Sequence, residues 1–323
     1  MIEFKGVSKT YAGSDRPVVN NLTFNIEDGE ICVLVGPSGC GKTTSMRMIN
    51  RLIEPTEGEI LIDGQKNTSM SGTQLRRKIG YAIQQIGLFP HRTIGQNVGT
   101  VPGLVGWEKE RTSRRVDELL DLVGLAPDQY RDRYPAELSG GQQQRVGVAR
   151  ALAADPPIML MDEPFGAVDP ITRDRLQQEF LRIQEDIKKT IVFVTHDIDE
   201  AIKMGDKIAI LKEGGILAQY DTPENILANP ASDFVSSFVG TDRVLKRLSL
   251  LQVKDMPLDP VNGSTNLPRI SDRLTLKDAL SEIIGAGSDR GLVIPDGNGG
   301  NPSGTLSIDA IRTLSHNAEV ANG

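Results

Sequence analysis

The chain has 323 residues, 38% of them hydrophobic, and a formal net charge of −7, enough for one large core and a small second domain. The acidic balance, without a long Lys/Arg run, weighs against nonspecific nucleic-acid binding. No apolar run approaches the ~20 residues that cross a bilayer, and the start Met-Ile-Glu-Phe-Lys-Gly has no secretory pattern, so a membrane part is expected from other chains. In chain order, residues 1–35 read as strands, ending in the short apolar run 31–35 before a glycine. A helix is predicted from Lys42 to about Leu52, and strands at 59–63 and 79–83. From 88 to 157 the pattern turns helical: Val116, Leu119, Leu120 and Val123 share one face, and Gly124 can end that helix. Residues 158–161 form a buried strand running into acids. Residues 170–188 form an amphipathic helix opened by Pro170. Strands follow at 191–194, 207–211 and 215–220. This alternation implies an α/β fold with a largely parallel sheet, and the block 88–157 reads as an insertion into it. Residues 254–269, rich in Pro, Asn, Asp and Gly, read as a linker. A helix at 275–284 and strands at 291–294 and 305–308 are predicted beyond it.

The chemistry gathers at a few points. Gly36, Pro37, Ser38, Gly39, Cys40, Gly41, Lys42 and Thr43 fit the full phosphate-loop spacing. The glycines let successive N–H groups face one anion, and the helix that starts there, with Thr44 in its first turn, favours negative charge. Lys42 can reach the β- and γ-phosphates, and the Thr43 hydroxyl can meet Mg²⁺. Asp162 and Glu163 end a buried strand. Mg²⁺ needs few protein ligands because it keeps waters, which suits Asp162. Glu163 then falls where it can polarise or deprotonate the attacking water. His196, after the strand and Thr195, can bond a γ-phosphate and orient Glu163. Gln84 ends an apolar strand and can ligate the metal or its water, whereas Gln85 reads equally as a solvated loop residue. Ser139, Gly140 and Gly141 precede a helix expected at 142–154. Ser139 can cap it, and the small residues let N–H groups approach a phosphate. A plain capped helix reads nearly as well locally. Tyr11, beside a polar turn, can stack on adenine or pack in the core. Cys32 and Cys40 read as reduced thiols of a cytoplasmic protein: neither spacing suits zinc, and a disulfide would clamp the phosphate loop.

The order of these elements resembles the ATP-binding-cassette (ABC) ATPases over residues 1–240. The run Leu-Ser-Gly-Gly-Gln-Gln-Gln-Arg at 138–145 looks like their signature motif, and Tyr11, residues 36–43, Gln84, 158–163, Asp169 and His196 fall in the family's order. The resemblance implies a P-loop NTPase core of RecA type, an antiparallel β subdomain, and an inserted α-helical subdomain at about 88–157. It implies ATP and Mg²⁺ as cofactors. It also implies a head-to-tail dimer in which each ATP lies between the phosphate loop of one copy and Ser139 and Gly141 of the other. Asp169 would sit at the dimer seam. A separate chain of this kind is similar to bacterial importer subunits at the cytoplasmic face of the plasma membrane. There the surface at 86–98 receives a helix of a membrane permease, and an external binding protein acts indirectly.

Residues 46–56, 84–91 and 242–248 look like the osmoprotectant branch, which imports glycine betaine, carnitine and choline. Ahead of the tail, 241–270 is read as a linker. Residues 271–323 look like a single, partial cystathionine-β-synthase-type (CBS) motif. That motif often carries an acid three residues after its Ser or Thr to bind ribose. Counting from Ser307 reaches Ala310, which argues against adenine-nucleotide sensing and leaves self-association of two tails as the expectation. Alternatives are an importer subunit for an amino acid or polyamine, a non-transport ABC protein acting on ribosomes or DNA, and a phosphate-loop kinase. One cassette and a short helical insert weigh against the ribosome or DNA reading. The octapeptide and His196 weigh against the kinase.

Overall fold

The computed structural model describes residues 1–83, 87–166, 168–261, 267–295 and 302–313. It divides into two compact units, Met1–Tyr220 and Asp221–Gly323.

The first unit opens with β1 (Ile2–Lys9), β2 (Val19–Ile26) and β3 (Ile31–Val35). The helix α1 (Lys42–Ile49) follows, then β4 (Glu57–Ile62), β5 (Gln65–Lys66), α2 (Gly72–Arg77) and β6 (Ile79–Ala82). A helical block comes next: α3 (Ile94–Val98), α4 (Thr100–Leu104), α5 (Lys109–Leu122), α6 (Pro127–Tyr130) and α7 (Gly140–Leu152). The chain then returns to β7 (Ile158–Asp162), α8 (Pro170–Ile187), β8 (Thr190–Val194), α9 (Ile198–Met204), β9 (Lys207–Lys212) and β10 (Ile216–Asp221).

Burial explains which strands go where. Every residue of β3, β7 and β8 is buried, as expected for strands covered on both faces. They form the middle of a sheet ordered β10-β9-β3-β8-β7-β6, in which β3 pairs parallel with β8 and β9, and β7 with β6 and β8. In β2, by contrast, buried and exposed positions interleave, the mark of a one-sided sheet. It lies in a second sheet, β2-β1-β4-β5, with antiparallel pairs. Phe4 and Phe24 face each other there, rings stacked with centroids 4.6 Å apart. One apolar cluster joins these residues to Cys32, Leu34, Leu160 and Val192 of the parallel sheet.

Helix ends differ slightly from expectation. α1 stops at Ile49, because the chain turns at Asn50 and then at Arg51, which takes a left-handed φ of +54°. α7 starts at Gly140, so the paired glycines lie inside its first turn rather than before it.

The second unit holds α10 (Pro223–Ala228), α11 (Asp233–Val239), α12 (Arg243–Leu248), β11 (Arg269–Ser271), α13 (Leu276–Gly285), β12 (Arg290–Ile294) and β13 (Gly304–Ser307). β12 pairs parallel with β11 and antiparallel with β13. Leu248 and Val253 are buried with Ile270, Leu276, Ile283, Val293 and Leu306. Residues 248 and 253 thus belong to this core, although the polar composition around them reads as a linker. The boundary by contacts falls after Tyr220, not near 240.

Candidate functional site

The site is assembled where β3 and β7 end and α1 begins. Gly36 and Gly41 are the positions where only glycine fits. Gly36 has φ +152°, and a Cβ there would lie 2.1 Å from the Leu211 carbonyl oxygen. Gly41 has φ +91°, and a Cβ would lie 2.4 Å from the Val18 carbonyl oxygen. The loop is therefore pressed against the main chain behind it while Pro37, Ser38 and Gly39 stay exposed. Ser38, Gly39, Gly41, Lys42, Thr43, Thr44 and Glu163 line a cavity of about 250 Å³ with Val18. Lys42 is buried, and its ammonium donates to the carbonyls of Gly36 at 2.7 Å and Pro37 at 2.9 Å. The Cys40 side chain points into the core rather than the cavity, and burial pushes its thiol pKa up.

Thr43 Oγ1 donates to Asp162 Oδ1 at 3.0 Å. Asp162 is 1% exposed. Its Oδ2 has no hydrogen-bond partner among the described residues, and the guanidinium of Arg47 lies 4.0 Å away. Burial holds the Asp162 pKa above the usual carboxylate range, while the Thr43 bond and the Arg47 charge pull it down. A buried, underused carboxylate oxygen beside a hydroxyl is an oxygen donor set, and it fits a hard divalent cation.

Glu163 sits in a left-handed conformation, φ +48°, uncommon for a side-chain-bearing residue and frequent at functional sites. Its amide donates to the Val194 carbonyl at 2.9 Å, which joins it to β8. Its Oε1 lies 3.1 Å from His196 Nδ1. The His196 side chain is 64% exposed and that of Glu163 22%. The imidazole can thus orient the carboxylate and still reach outward.

Ser139 caps α7: its hydroxyl accepts from the Gln142 amide at 3.3 Å, and Gln142 Oε1 accepts from the Ser139 amide at 2.9 Å. Ser139 and Gly140 are exposed, and Gly141 is half-buried. Asp169 caps α8 by accepting from the Thr172 amide at 3.0 Å. That bond depresses its carboxyl pKa. The Tyr11 ring is 43% exposed, with the Lys9 ammonium 5.4 Å from its centroid. Gln84 and Gln85 lie outside the described residues.

The structure thus brings Lys42, Thr43, Asp162, Glu163 and His196 together within one unit. Two buried residues escaped the reading of the sequence. Gln144 donates from Nε2 to the Glu163 carbonyl at 2.8 Å. Its spacing of four from Val148 and seven from Ala151, both buried, would have placed it on the inner face. Asn97, fully buried, accepts from the Phe89 amide at 2.7 Å and donates to the carbonyls of Phe89, Arg92 and Thr93. It holds the loop that borders a larger groove of about 900 Å³ in the helical block, lined by Phe89, Arg92, Gln96, Leu104, Trp107 and Arg131 among others. Among the described residues no helix is long and apolar enough to cross a membrane.

Residues 19–166 match the ABC transporter family. The chain is 49% identical over 321 residues to the osmoprotectant import ATP-binding protein OsmV of Salmonella typhimurium, covering 98% of this chain and 81% of that protein. It is 58% identical over 284 residues to the choline transport ATP-binding protein OpuBA of Bacillus subtilis, covering 88% and 72%. Among solved structures, the dimeric post-hydrolysis ATP-binding cassette MJ0796 bound to ADP and Pi is 36% identical with a TM-score of 0.64, covering 69% of this chain and 99% of that one. The chain therefore belongs to the ATP-binding proteins of the ABC transporter family.

Proposed function

We propose that this chain is the ATP-hydrolysing subunit of a bacterial importer for quaternary-amine osmoprotectants such as glycine betaine, carnitine and choline. The observation that carries the chemistry is the 3.1 Å contact of Glu163 with His196 beside the cavity of the phosphate loop. The names of OsmV and OpuBA, an osmoprotectant import protein and a choline transport protein, support the choice of solute.

In this reading the ATP phosphates enter the cradle of residues 36–43, with Thr44 in the first turn of α1. Lys42 exchanges its bonds to the Gly36 and Pro37 carbonyls for the β- and γ-phosphates. Thr43, Asp162 and Gln84 are the residues that would hold Mg²⁺, which when bound would offset the negative charge of the phosphates. Glu163 takes the proton of the attacking water as its oxygen bonds to the γ-phosphorus. The bond from that phosphorus to the β–γ bridging oxygen breaks, and ADP and phosphate leave. His196 holds Glu163 in register and donates toward the γ-phosphate. Tyr11 stacks on the adenine.

A second copy of the chain completes each site. Ser139, Gly140 and Gly141 present the start of α7 to the γ-phosphate held by the partner copy, with Asp169 at the seam, as befits a family with a dimeric ADP-and-Pi structure. Losing the γ-phosphate removes the bridging contacts and reopens the dimer. The 900 Å³ groove takes a helix of the permease at the cytoplasmic face of the plasma membrane. Permease and external binding protein choose the solute. The tail resembles one CBS-type motif. Ser307 Oγ there accepts from the Ala310 amide at 3.2 Å, so a cap occupies the hydroxyl, and pairing of two tails is its proposed role.

The test is reconstitution with the adjoining permease and binding protein. ATPase activity stimulated by glycine betaine, but not by histidine or spermidine, is expected. Stimulation by histidine or spermidine instead would refute the choice of solute.

A further inference from the structure

Thr195, 1% exposed, stands between β8 and His196. Its hydroxyl accepts from the Asp197 amide at 3.1 Å, and Asp197 Oδ1 in turn accepts from the Glu200 amide at 3.3 Å in the first turn of α9. Across the gap, Gln177 Nε2 on α8 donates to Glu200 Oε1 at 2.9 Å, and Gln177 is 5% exposed. One turn earlier on α8, Arg173 Nη2 donates to the Val168 carbonyl at 3.0 Å. Asp169 caps the same helix. Glu200 thus sits between α8 and the first turn of α9, which begins two residues after His196.

A carboxylate is a costly choice at that place. Burial raises the Glu200 pKa, and the Gln177 amide, the nearby Thr195 hydroxyl and the Arg173 charge lower it. An apolar side chain would pack without that cost. Only an acceptor at this position can take the bond from Gln177 on α8.

We propose that Glu200 is a positioning residue, which locks the first turn of α9 to α8 so that the His196 ring just before that turn meets Glu163. The proposal rests on the role given to His196 above. It adds a residue that touches neither nucleotide nor water and acts through its grip on the turn.

The experiment compares Glu200→Ala, Glu200→Gln, Thr195→Val, His196→Ala and the double variant Glu200→Ala/His196→Ala in the full chain. It measures kcat, KM for ATP and direct binding of a fluorescent ATP analogue. Glu200→Ala should lose roughly tenfold in kcat, less than the ~10²-fold that a 1 Å misplacement costs, with KM and analogue affinity within about twofold. Glu200→Gln should recover most of that loss, because its amide oxygen accepts the same bonds. Thr195→Val should reproduce the loss from the other side, and serves if Glu200→Ala does not fold. The double variant should be no slower than His196→Ala alone. Normal turnover by Glu200→Ala beside a slow His196→Ala would overturn the proposal alone. So would a full further tenfold loss in the double variant. Normal turnover by His196→Ala would overturn the role of His196 and the proposal with it.

Discussion

Gln144 donates from Nε2 to the main-chain carbonyl of Glu163 at 2.8 Å. One residue belongs to the glycine-rich octapeptide and the other carries the carboxylate facing the phosphate loop. The helix proposed to meet a partner's nucleotide is thereby joined to the backbone of the proposed base in its own chain. Glu163 holds a left-handed φ of +48°, a conformation that surrounding bonds must sustain. Gln144 and Val194 supply two of those bonds.

Gln144→Leu should therefore loosen Glu163 without touching the phosphate loop. Loss of one buried hydrogen bond costs about 1 kcal/mol, or up to ~3 if the carbonyl is left dry. Turnover should fall severalfold while ATP affinity stays unchanged. Thermal melting and equilibrium binding, measured beside kcat, check this. Unchanged turnover would show that the brace is dispensable.

Gly36→Ala should be far worse than a surface change. The added Cβ would meet the Leu211 carbonyl oxygen at 2.1 Å and Cys40 Sγ at 2.9 Å, in a backbone region that alanine avoids. A loss of at least ~1 kcal/mol is expected, together with loss of nucleotide binding, because the loop must move off β9. Differential scanning fluorimetry with and without ATP reads both effects. Gly39→Ala tests the cause: Gly39 has open space at its Cβ but φ +80°, so it should suffer from backbone strain alone.

Asp162→Asn separates function from stability. The buried carboxylate is disfavoured by desolvation, and an amide oxygen can still accept from Thr43. The nucleotide-free variant should melt higher, by about 2–4 °C for each ~1 kcal/mol gained. Its ATP binding should no longer respond to Mg²⁺, whereas the native chain should lose affinity when EDTA removes the metal. A lower melting temperature would show that Asp162 is held by more than Thr43 and Arg47.

Much of this site was legible before any coordinates, for physical reasons. β3, β7 and β8 are covered on both faces, so they read as nearly unbroken apolar runs, and the residues at or just past their ends, Gly36, Asp162, Glu163 and His196, are marked by position. The glycines of the loop show themselves because a backbone crowded by Leu211 and Val18 admits nothing larger. Gln144 and Glu200 stayed hidden because a polar residue on a helix usually faces solvent, and only the tertiary partner reveals a buried one. The second unit was misjudged for the opposite reason. Prolines and asparagines in the stretch after Val253 signal a loop, while the burial of Leu248 and Val253 depends on Ile270 and Leu276, more than fifteen residues onward.

The helical-block groove can be tested apart from the chemistry. Leu104 is 69% exposed on its rim. Leu104→Asp should leave folding within about 0.5 kcal/mol, as surface changes usually do. ATP binding by the isolated chain should be unaffected. Copurification with the permease should drop sharply. Retained assembly would place the permease contact elsewhere.

The central claim is that Glu163 takes the proton from the water that attacks ATP. Glu163→Gln keeps the shape, and the amide can still face His196, but it is a far weaker base. Hydrolysis by this variant should fall at least ~10²-fold, the lower bound for losing a general base. ATP should still bind, and size-exclusion chromatography with light scattering should show an ATP-dependent dimer that the native chain dissolves as it turns over. Turnover at the native rate by Glu163→Gln would contradict the account directly.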